Sequence, residues 1–449
     1  MNVVAAVGLI LRSNYFPIVP QIASVVAFAT VLFFAFAGNP HGKTNLAVAA
    51  TWSIWWVLLP FSAVVLGRVW CSFCPVPTVS HSVLSLRNRP RKLNRSNSLR
   101  HGGWISGVLL LALSWAVIVW RIDETPLATG FLLLAFTAAA ISVGALLDER
   151  TWCKTLCPIG TVLGLYSRLA PLQLRPTATT CAAKCGRTGS CHAALSSWQC
   201  LNDGPISGLE SNRKCSLCGD CLKSCRHTSV KLRVGLPEAL GTRPEGMTGA
   251  EVSVQVLLLA LVLIDLLRMT PWYPTLMKQL VAAGSTLVYN AVLMLAIMVL
   301  AGCLLTLYLT AAWVSTVITG RRFRETFVLF SLPYIAIAAA VHLGSEIIHM
   351  VNHGTMPLLA IALELGFAVD FPAVVRGARY AQDSTLQGLE ITLLLIATAL
   401  AVGAFWNASA STGARGLRRG LSAGSPTALA ILIAAAAGFL FTSPMGMIH

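Results

Sequence analysis

The sequence predicts an all-α polytopic membrane protein of about nine transmembrane helices, interrupted by a small cytoplasmic α+β domain rich in cysteine. Three observations carry that prediction. Of 449 residues, 56% are hydrophobic and 11% are charged, less than half the charge of an average soluble domain. Apolar runs of membrane-spanning length recur through both halves of the chain. Between those halves, residues 181–225 hold eight of the 13 cysteines.

The apolar runs fall near 16–38, 47–67, 104–120, 128–147, 252–269, 286–314, 326–345, 386–406 and 425–445. The first follows a short polar start at Arg12 and ends Ala35-Phe36-Ala37-Gly38, which imitates a signal-peptidase site and is read as a retained anchor. With the amino terminus inside, inner segments collect 27 of the 33 Lys and Arg, leaving outside only Lys43, Arg121, Arg268, Lys278, Arg376 and Arg379. The net charge of +16 therefore reports orientation in a bacterial cytoplasmic (inner) membrane, and no nucleic-acid partner is expected. The run 357–369 is too short to cross, and counting it would push Arg415, Arg418 and Arg419 outside; it is read as re-entrant or interfacial, with His449 outside. The chain thus divides into a four-helix region (1–150), a cytoplasmic cysteine-rich domain (151–250) and a five-helix region (251–449). The basic loop Arg87–Arg100 is read as a solvated strap along the anionic inner leaflet.

The second half of the cysteine-rich run, Cys215-x2-Cys218-x2-Cys221-x3-Cys225, has the spacing that wraps a [4Fe-4S] cluster, its fourth cysteine reaching a second cluster. The looser set Cys181, Cys185, Cys191 and Cys200 supplies four more thiolates. A crossed pairing predicts one cluster on Cys181, Cys185, Cys191 and Cys225 and another on Cys200, Cys215, Cys218 and Cys221. Disulfides are disfavoured by the repeated close pairs and the reducing compartment, and zinc by three ligands at so tight a spacing.

Two further cysteine pairs stand where the second and fourth spans end: Trp70-Cys71-Ser72-Phe73-Cys74-Pro75 and Trp152-Cys153-Lys154-Thr155-Leu156-Cys157-Pro158. Both emerge on the same membrane face, so Cys71, Cys74, Cys153 and Cys157 are expected to converge. A third [4Fe-4S] cluster, copper, zinc or a dithiol–disulfide couple all suit such thiolates, and buried free thiols are the bland alternative.

With these residues the sequence resembles the NapH/NosR-type membrane polyferredoxins, which include CcoG-like proteins, over about residues 15–235. The match at Cys153 to Pro158 is direct. Arg68, Trp70, Cys71, Cys74 and Pro75 match with two residues rather than three between the cysteines, and Arg226 stands where ferredoxins usually have proline. The resemblance implies a ferredoxin-like domain with two [4Fe-4S] clusters. It also implies electron transfer between the quinone pool and oxidoreductases, or service in copper-enzyme maturation including cupric reduction. NosR-like members carry covalent FMN; Ser411-Thr412-Gly413-Ala414 lacks the ending of that motif, and no FMN is expected.

Beyond the resemblance, His342, Glu346, His349 and His353 fall on one stripe of a helix at the outer end of the seventh span, where a metal, a haem or a quinol could bind. A wetted polar face is the alternative. Asp265 is expected to pair with Arg268, Glu364 is a candidate proton group, Trp52, Trp55, Trp56 and Trp70 are read as interface anchors, and Cys303 is read as packing. No nucleophile–base pair, phosphate loop or dinucleotide fingerprint is visible. The function expected is membrane-bound iron–sulfur electron transfer between a quinone pool or a cytoplasmic donor and a partner oxidoreductase. The second reading is a copper-reducing or copper-handling maturation factor fed by the clusters.

Overall fold

The computed structural model describes residues 3–86, 102–147, 149–181, 199–202, 206–241, 247–270, 272–273, 275, 279, 286–353, 356–364, 384–413 and 415–443. Cys185, Cys191, the whole Arg87–Arg100 loop, residues 365–369, the side chain of His353 and His449 lie outside them. Among the described residues nine helices are long and apolar enough to cross a membrane, and they coincide with the nine runs read from the sequence. The fold is mostly helical, with a two-stranded sheet. The chain forms two compact units. One comprises Met1–Leu109, Ile122–Pro237 and Met356–Phe367, the other Leu110–Arg121, Glu238–Thr355 and Ala368–His449.

In the first unit, α1 (Val3–Arg12), α2 (Ile18–Ala37), α3 (Leu46–Leu66), α4 (Pro75–Ser85), the start of α5 (Gly102–Trp120, which belongs to the second unit from Leu110 on), α6 (Pro126–Leu146) and α7 (Pro158–Tyr166) lead into β1 (Leu172–Pro176). The short helix α8 (Asp220–Ser224) then precedes β2 (Val230–Val234). Asn45 starts α3 by accepting hydrogen bonds from the Ala47 and Val48 amides, satisfying donors that a helix start leaves open. Pro75 and Pro158 occupy the first positions of α4 and α7, where a missing N–H costs nothing. Both therefore restart a helix directly after a cysteine.

β1 and β2 pair antiparallel, Leu172 opposite Val234 and Pro176 opposite Val230. Their apolar faces join Leu11, Phe16, Ile206, Leu209, Leu217 and Leu222 in one core, against which Cys200, Cys215, Cys221 and Cys225 pack. Buried Asn212 donates to the carbonyls of Ser167, Ala170 and Leu172 at 3.2, 3.2 and 3.1 Å. It ties the cysteine loop to the chain leaving α7. Glu364, on the helix Met356–Glu364, accepts the Asn39 amide at 3.0 Å and so closes the turn after α2.

The second unit contains α9 (Gly249–Arg268), α10 (Thr286–Thr319), α11 (Phe323–Leu329), α12 (Tyr334–His353), α13 (Ser384–Ser411) and α14 (Leu417–Thr442). Thr248 and Glu251 form a reciprocal capping box at the start of α9. In the most apolar 18-residue window of Phe323–Val351 89% of the residues are buried, against 33% in those of α13 and α14, so α12 is the central helix. Small residues permit the close crossings: Ser315 donates to the Ser422 carbonyl at 2.7 Å, and Gly344 faces the Phe441 ring. Asp265 and Arg268 pair at 3.4 Å as expected. Cys303, read as packing, is instead exposed on α10, because the helix turns that face outward.

Candidate functional site: two cysteine centres in the first unit

The motif after α3 and the motif after α6 are built alike. Trp70–Phe73 is one helical turn, and Trp152–Leu156 is a wider π-type turn closed by the Cys157 amide on the Trp152 carbonyl at 2.8 Å. The wider turn accommodates the extra residue between Cys153 and Cys157. In each case the second cysteine leaves helical geometry, with ψ 130° at Cys74 and 116° at Cys157, and becomes the cap of the proline-led helix that follows. The Cys157 sulfur accepts the Gly160 amide at 3.2 Å. These helix starts direct N–H groups and positive dipole ends at sulfur.

The repeat extends further than the two cysteine pairs. Arg68-Val69-Trp70-Cys71 and Arg150-Thr151-Trp152-Cys153 share Arg-x-Trp-Cys, and each arginine serves the other copy. Arg68 donates Nη2 to the Cys153 carbonyl at 3.0 Å, and Arg150 donates Nη1 to the Cys71 carbonyl at 3.3 Å. Both arginines are buried, at 4% and 2% exposure. The Cβ of any residue replacing Gly160 would lie 3.1 Å from Arg68 Nη2 and from the Cys153 carbonyl, so a side chain there would force this contact to give by a few tenths of an ångström. The arginine repeat is a signal that was present in the sequence and that the cysteine pairs alone do not reveal.

The four helix-end thiols feel one another. Burial pushes the Cys74 thiol well up, and neighbouring Cys153, Cys71 and Cys157 push it further. Burial raises Cys153, with Arg150 opposing and Cys71 adding, and burial with Cys153 takes Cys157 up to about 12. Such a set ionises only beside compensating positive charge, which a bound metal supplies.

A second set gathers in the loop around α8. Cys200, Cys215, Cys218 and Cys221 line one cavity with Leu174, Ile206 and Leu209. Burial takes Cys218 up to about 12, helped by Asp220, Cys215 and Cys200; it raises Cys221 well up, helped by Cys215, Cys218 and Cys200. The Cys215 sulfur accepts the Leu217 amide at 3.4 Å. Gly219, between the second and third of these cysteines in the signature, has φ +81°, and a Cβ there would meet the Leu11 carbonyl at 2.1 Å. Only glycine lets α1 seal this loop.

Cys225 stands apart from that set. Its sulfur accepts the Ser229 amide at 3.3 Å, and the Ser229 hydroxyl lies 2.9 Å from the Cys181 sulfur. Ser229 therefore brings together Cys181 and Cys225, the two described members of the other predicted quartet. Burial raises the Cys225 thiol, but the amides of Val230, Ser229, His227 and Thr228 outweigh it and lower it overall.

The helix-end set and the loop set are neighbours. Arg68 also donates Nη1 to the Arg213 carbonyl at 2.8 Å, two residues before Cys215. Arg150 and Lys154 both act on Cys200, as Arg150 does on Cys153. Enclosed sulfurs, amides aimed at them and adjacent guanidinium charge fit an anionic iron–sulfur cluster with thiolate ligands. Among the described residues no three His, Cys, Asp or Glu side chains are gathered closely enough to hold a single metal ion.

In the second unit, His342 Nε2 and Glu346 Oε1 pair at 3.3 Å along α12, their side chains 12% and 4% exposed. Glu346 Oε2 is buried with no hydrogen-bond partner among the described residues.

Comparison with known proteins falls on the first unit. The family described as a 4Fe-4S binding domain matches residues 48–94 and 129–176, the two stretches that carry the Arg-x-Trp-Cys copies. The chain is 29% identical over 171 residues, 34% of its length and 55% of the relative's, to methylamine utilization ferredoxin-type protein MauN of Paracoccus denitrificans. It is 27% identical to the putative electron transport protein YccM of Escherichia coli, over 36% of this chain and 50% of that one. It is 26% identical to ferredoxin-type protein NapH of Haemophilus influenzae, over 39% and 65%. The chain spans about half the length of the curated relatives it matches. No solved structure matches. Over about a third of its length, the chain matches the NapH-type membrane polyferredoxins that its two Cys-Pro motifs resemble.

Proposed function

We propose that this protein is a membrane-bound iron–sulfur electron carrier of the inner membrane, passing electrons between a quinone pool or a cytoplasmic donor and a partner oxidoreductase. The observation that carries the reading is the adjacency of the two cysteine sets, joined by Arg68 from the Cys153 carbonyl to the Arg213 carbonyl. Cys200, Cys215, Cys218 and Cys221 would hold one [4Fe-4S] cluster, and Cys181, Cys185, Cys191 and Cys225 another. Cys71, Cys74, Cys153 and Cys157 would hold a third, a choice supported over copper by the match of a 4Fe-4S family to both halves of that set. Bound there, the clusters would supply one-electron transfer without making or breaking bonds to substrate. The protein's own part is to exclude water with the Leu-rich core, to aim amides at the sulfurs, and to set charge with Arg68 and Arg150. The cysteine-rich segment faces the cytoplasm in this reading, on the side that holds 27 of the 33 basic residues.

In the second unit, His342 and Glu346 would take the protons released when a quinol gives up its two electrons, since a buried carboxyl–imidazole pair in a membrane helix is costly to keep without a role. His349 and His353 stand on the same stripe. Anaerobic protein mixed with a quinol analogue tests the whole reading: the clusters are expected to reduce, with the optical and EPR changes of [4Fe-4S] centres. Copper retained by the purified protein and lost in C71S and C157S, with no reduction of clusters, would replace it.

A further inference from the structure

At one end of the second unit, α10 closes at Thr319 and α11 opens at Phe323, and the connection carries Arg321 and Arg322, with Arg324 just inside α11. These three arginines, all exposed, surround an open cavity of about 500 Å³ whose floor is the buried pair Val328 and Leu329. Arg321 donates Nη2 to the Ser411 carbonyl at 2.9 Å, fixing the wall that the end of α13 contributes. Among the described residues the guanidinium groups of Arg322 and Arg324 have no hydrogen-bond or ion-pair partner, and Glu325 is the acidic residue in the lining. In the last two turns of α10, Trp313 and Val317 are 59% and 64% exposed.

This combination selects one chemistry. Guanidinium groups fork onto phosphate oxygens, and basic pockets at the ends of membrane helices suit anionic headgroups. A soluble anion would use the arginines but not the apolar floor or the apolar track along α10. A zwitterionic lipid would bring its own cation against three from the protein. We propose that the cavity binds the headgroup phosphate of an anionic phospholipid, with an acyl chain lying against Trp313 and Val317. The bound lipid would neutralise the arginines and pin the α10–α11 turn to α13.

Full-length protein purified in neutral detergent is titrated with phosphatidylglycerol, phosphatidylcholine and inorganic phosphate, with bound lipid read by native mass spectrometry. Phosphatidylglycerol is expected to be retained at concentrations where phosphatidylcholine is not. The triple variant R321Q/R322Q/R324Q is expected to lose about a hundredfold in affinity, and R322Q alone about fivefold, at roughly one surface charge's worth each. K231Q/R233Q, which removes two exposed cations from β2, keeps the parent affinity. Equal retention of the two lipids, or parent-like binding by R322Q where the triple variant does not fold, overturns the proposal. Inorganic phosphate binding as tightly as phosphatidylglycerol also overturns it, because the cavity is then a soluble-anion site.

Discussion

The guanidinium of Arg68 donates to the backbone carbonyl of Cys153 at 3.0 Å, across to the other copy of the Arg-x-Trp-Cys motif, and Arg150 returns the bond to Cys71 at 3.3 Å. The exchange locks the two copies together at the point where their cysteines meet. Each bond joins a buried charge to a carbonyl, a class worth about 1.5–3 kcal/mol. R150Q is expected to destabilise the first unit by about that amount, and R68Q, which also loses the bond to the Arg213 carbonyl, by more, measured by thermal unfolding in detergent. Both also remove positive charge beside the sulfurs, so the midpoint potential of the helix-end centre should fall in an EPR-monitored redox titration. R68K separates the two effects: it keeps the charge but cannot fork onto Cys153 and Arg213 together, so stability falls while the potential stays near the parent value.

Single cysteine variants should remove iron in separate packets. C157S is expected to lower iron by about four atoms per chain and to leave the signal of the loop centre intact, and C218S the reverse. The losses should add in the double variant. If C157S and C218S abolish the same signal, the two sets are one centre.

Thiol titration of the metal-free, reduced protein follows from the environments. Amides lower Cys225, whereas burial and Cys153 hold Cys157 at about 12. Iodoacetamide labelling near pH 8, read by mass spectrometry, should therefore modify Cys225 early and Cys157 last. The linkage runs in opposite directions. The contribution of Cys157 to stability is complete below the unfolded thiol value of about 8.5 and is lost as pH rises towards about 12. That of Cys225 is present above the unfolded value and is lost as pH falls through its lowered value.

Replacing Glu346 by Gln keeps the size of the side chain and removes the carboxylate that pairs with His342. Quinol-driven reduction of the clusters is expected to slow by at least about tenfold, the scale of a lost proton acceptor, while reduction by dithionite is unchanged. Equal rates with quinol for E346Q and the parent would leave the His342–Glu346 pair a structural contact.

Much of this was legible in the sequence because hydropathy and ligand spacing are local. The nine spans follow from runs long enough to bridge hydrocarbon, and the Cys215–Cys225 signature follows from the geometry of a cubane cluster. Glu364 accepts the Asn39 amide, a contact across more than 300 residues that no local pattern encodes. Cys303 was read as packing and is exposed, because a helix as apolar all round as α10 carries little periodicity to tell its outer face from its buried one. Ser229 has no signature of its own, yet its amide and hydroxyl reach the Cys225 and Cys181 sulfurs. The arginine exchange was within reach of the sequence, since Arg-x-Trp-Cys occurs twice, but its crossing is a property of the folded unit.

The central claim is that thiolates at the helix ends and in the loop hold iron and sulfide. Iron and acid-labile sulfide counted on anaerobically purified protein, together with low-temperature EPR, test it most directly. About twelve irons and twelve sulfides per chain, resolving into three [4Fe-4S] signals, are predicted. About eight would remove the helix-end cluster, and zinc or metal-free thiols in place of iron would contradict the account as a whole.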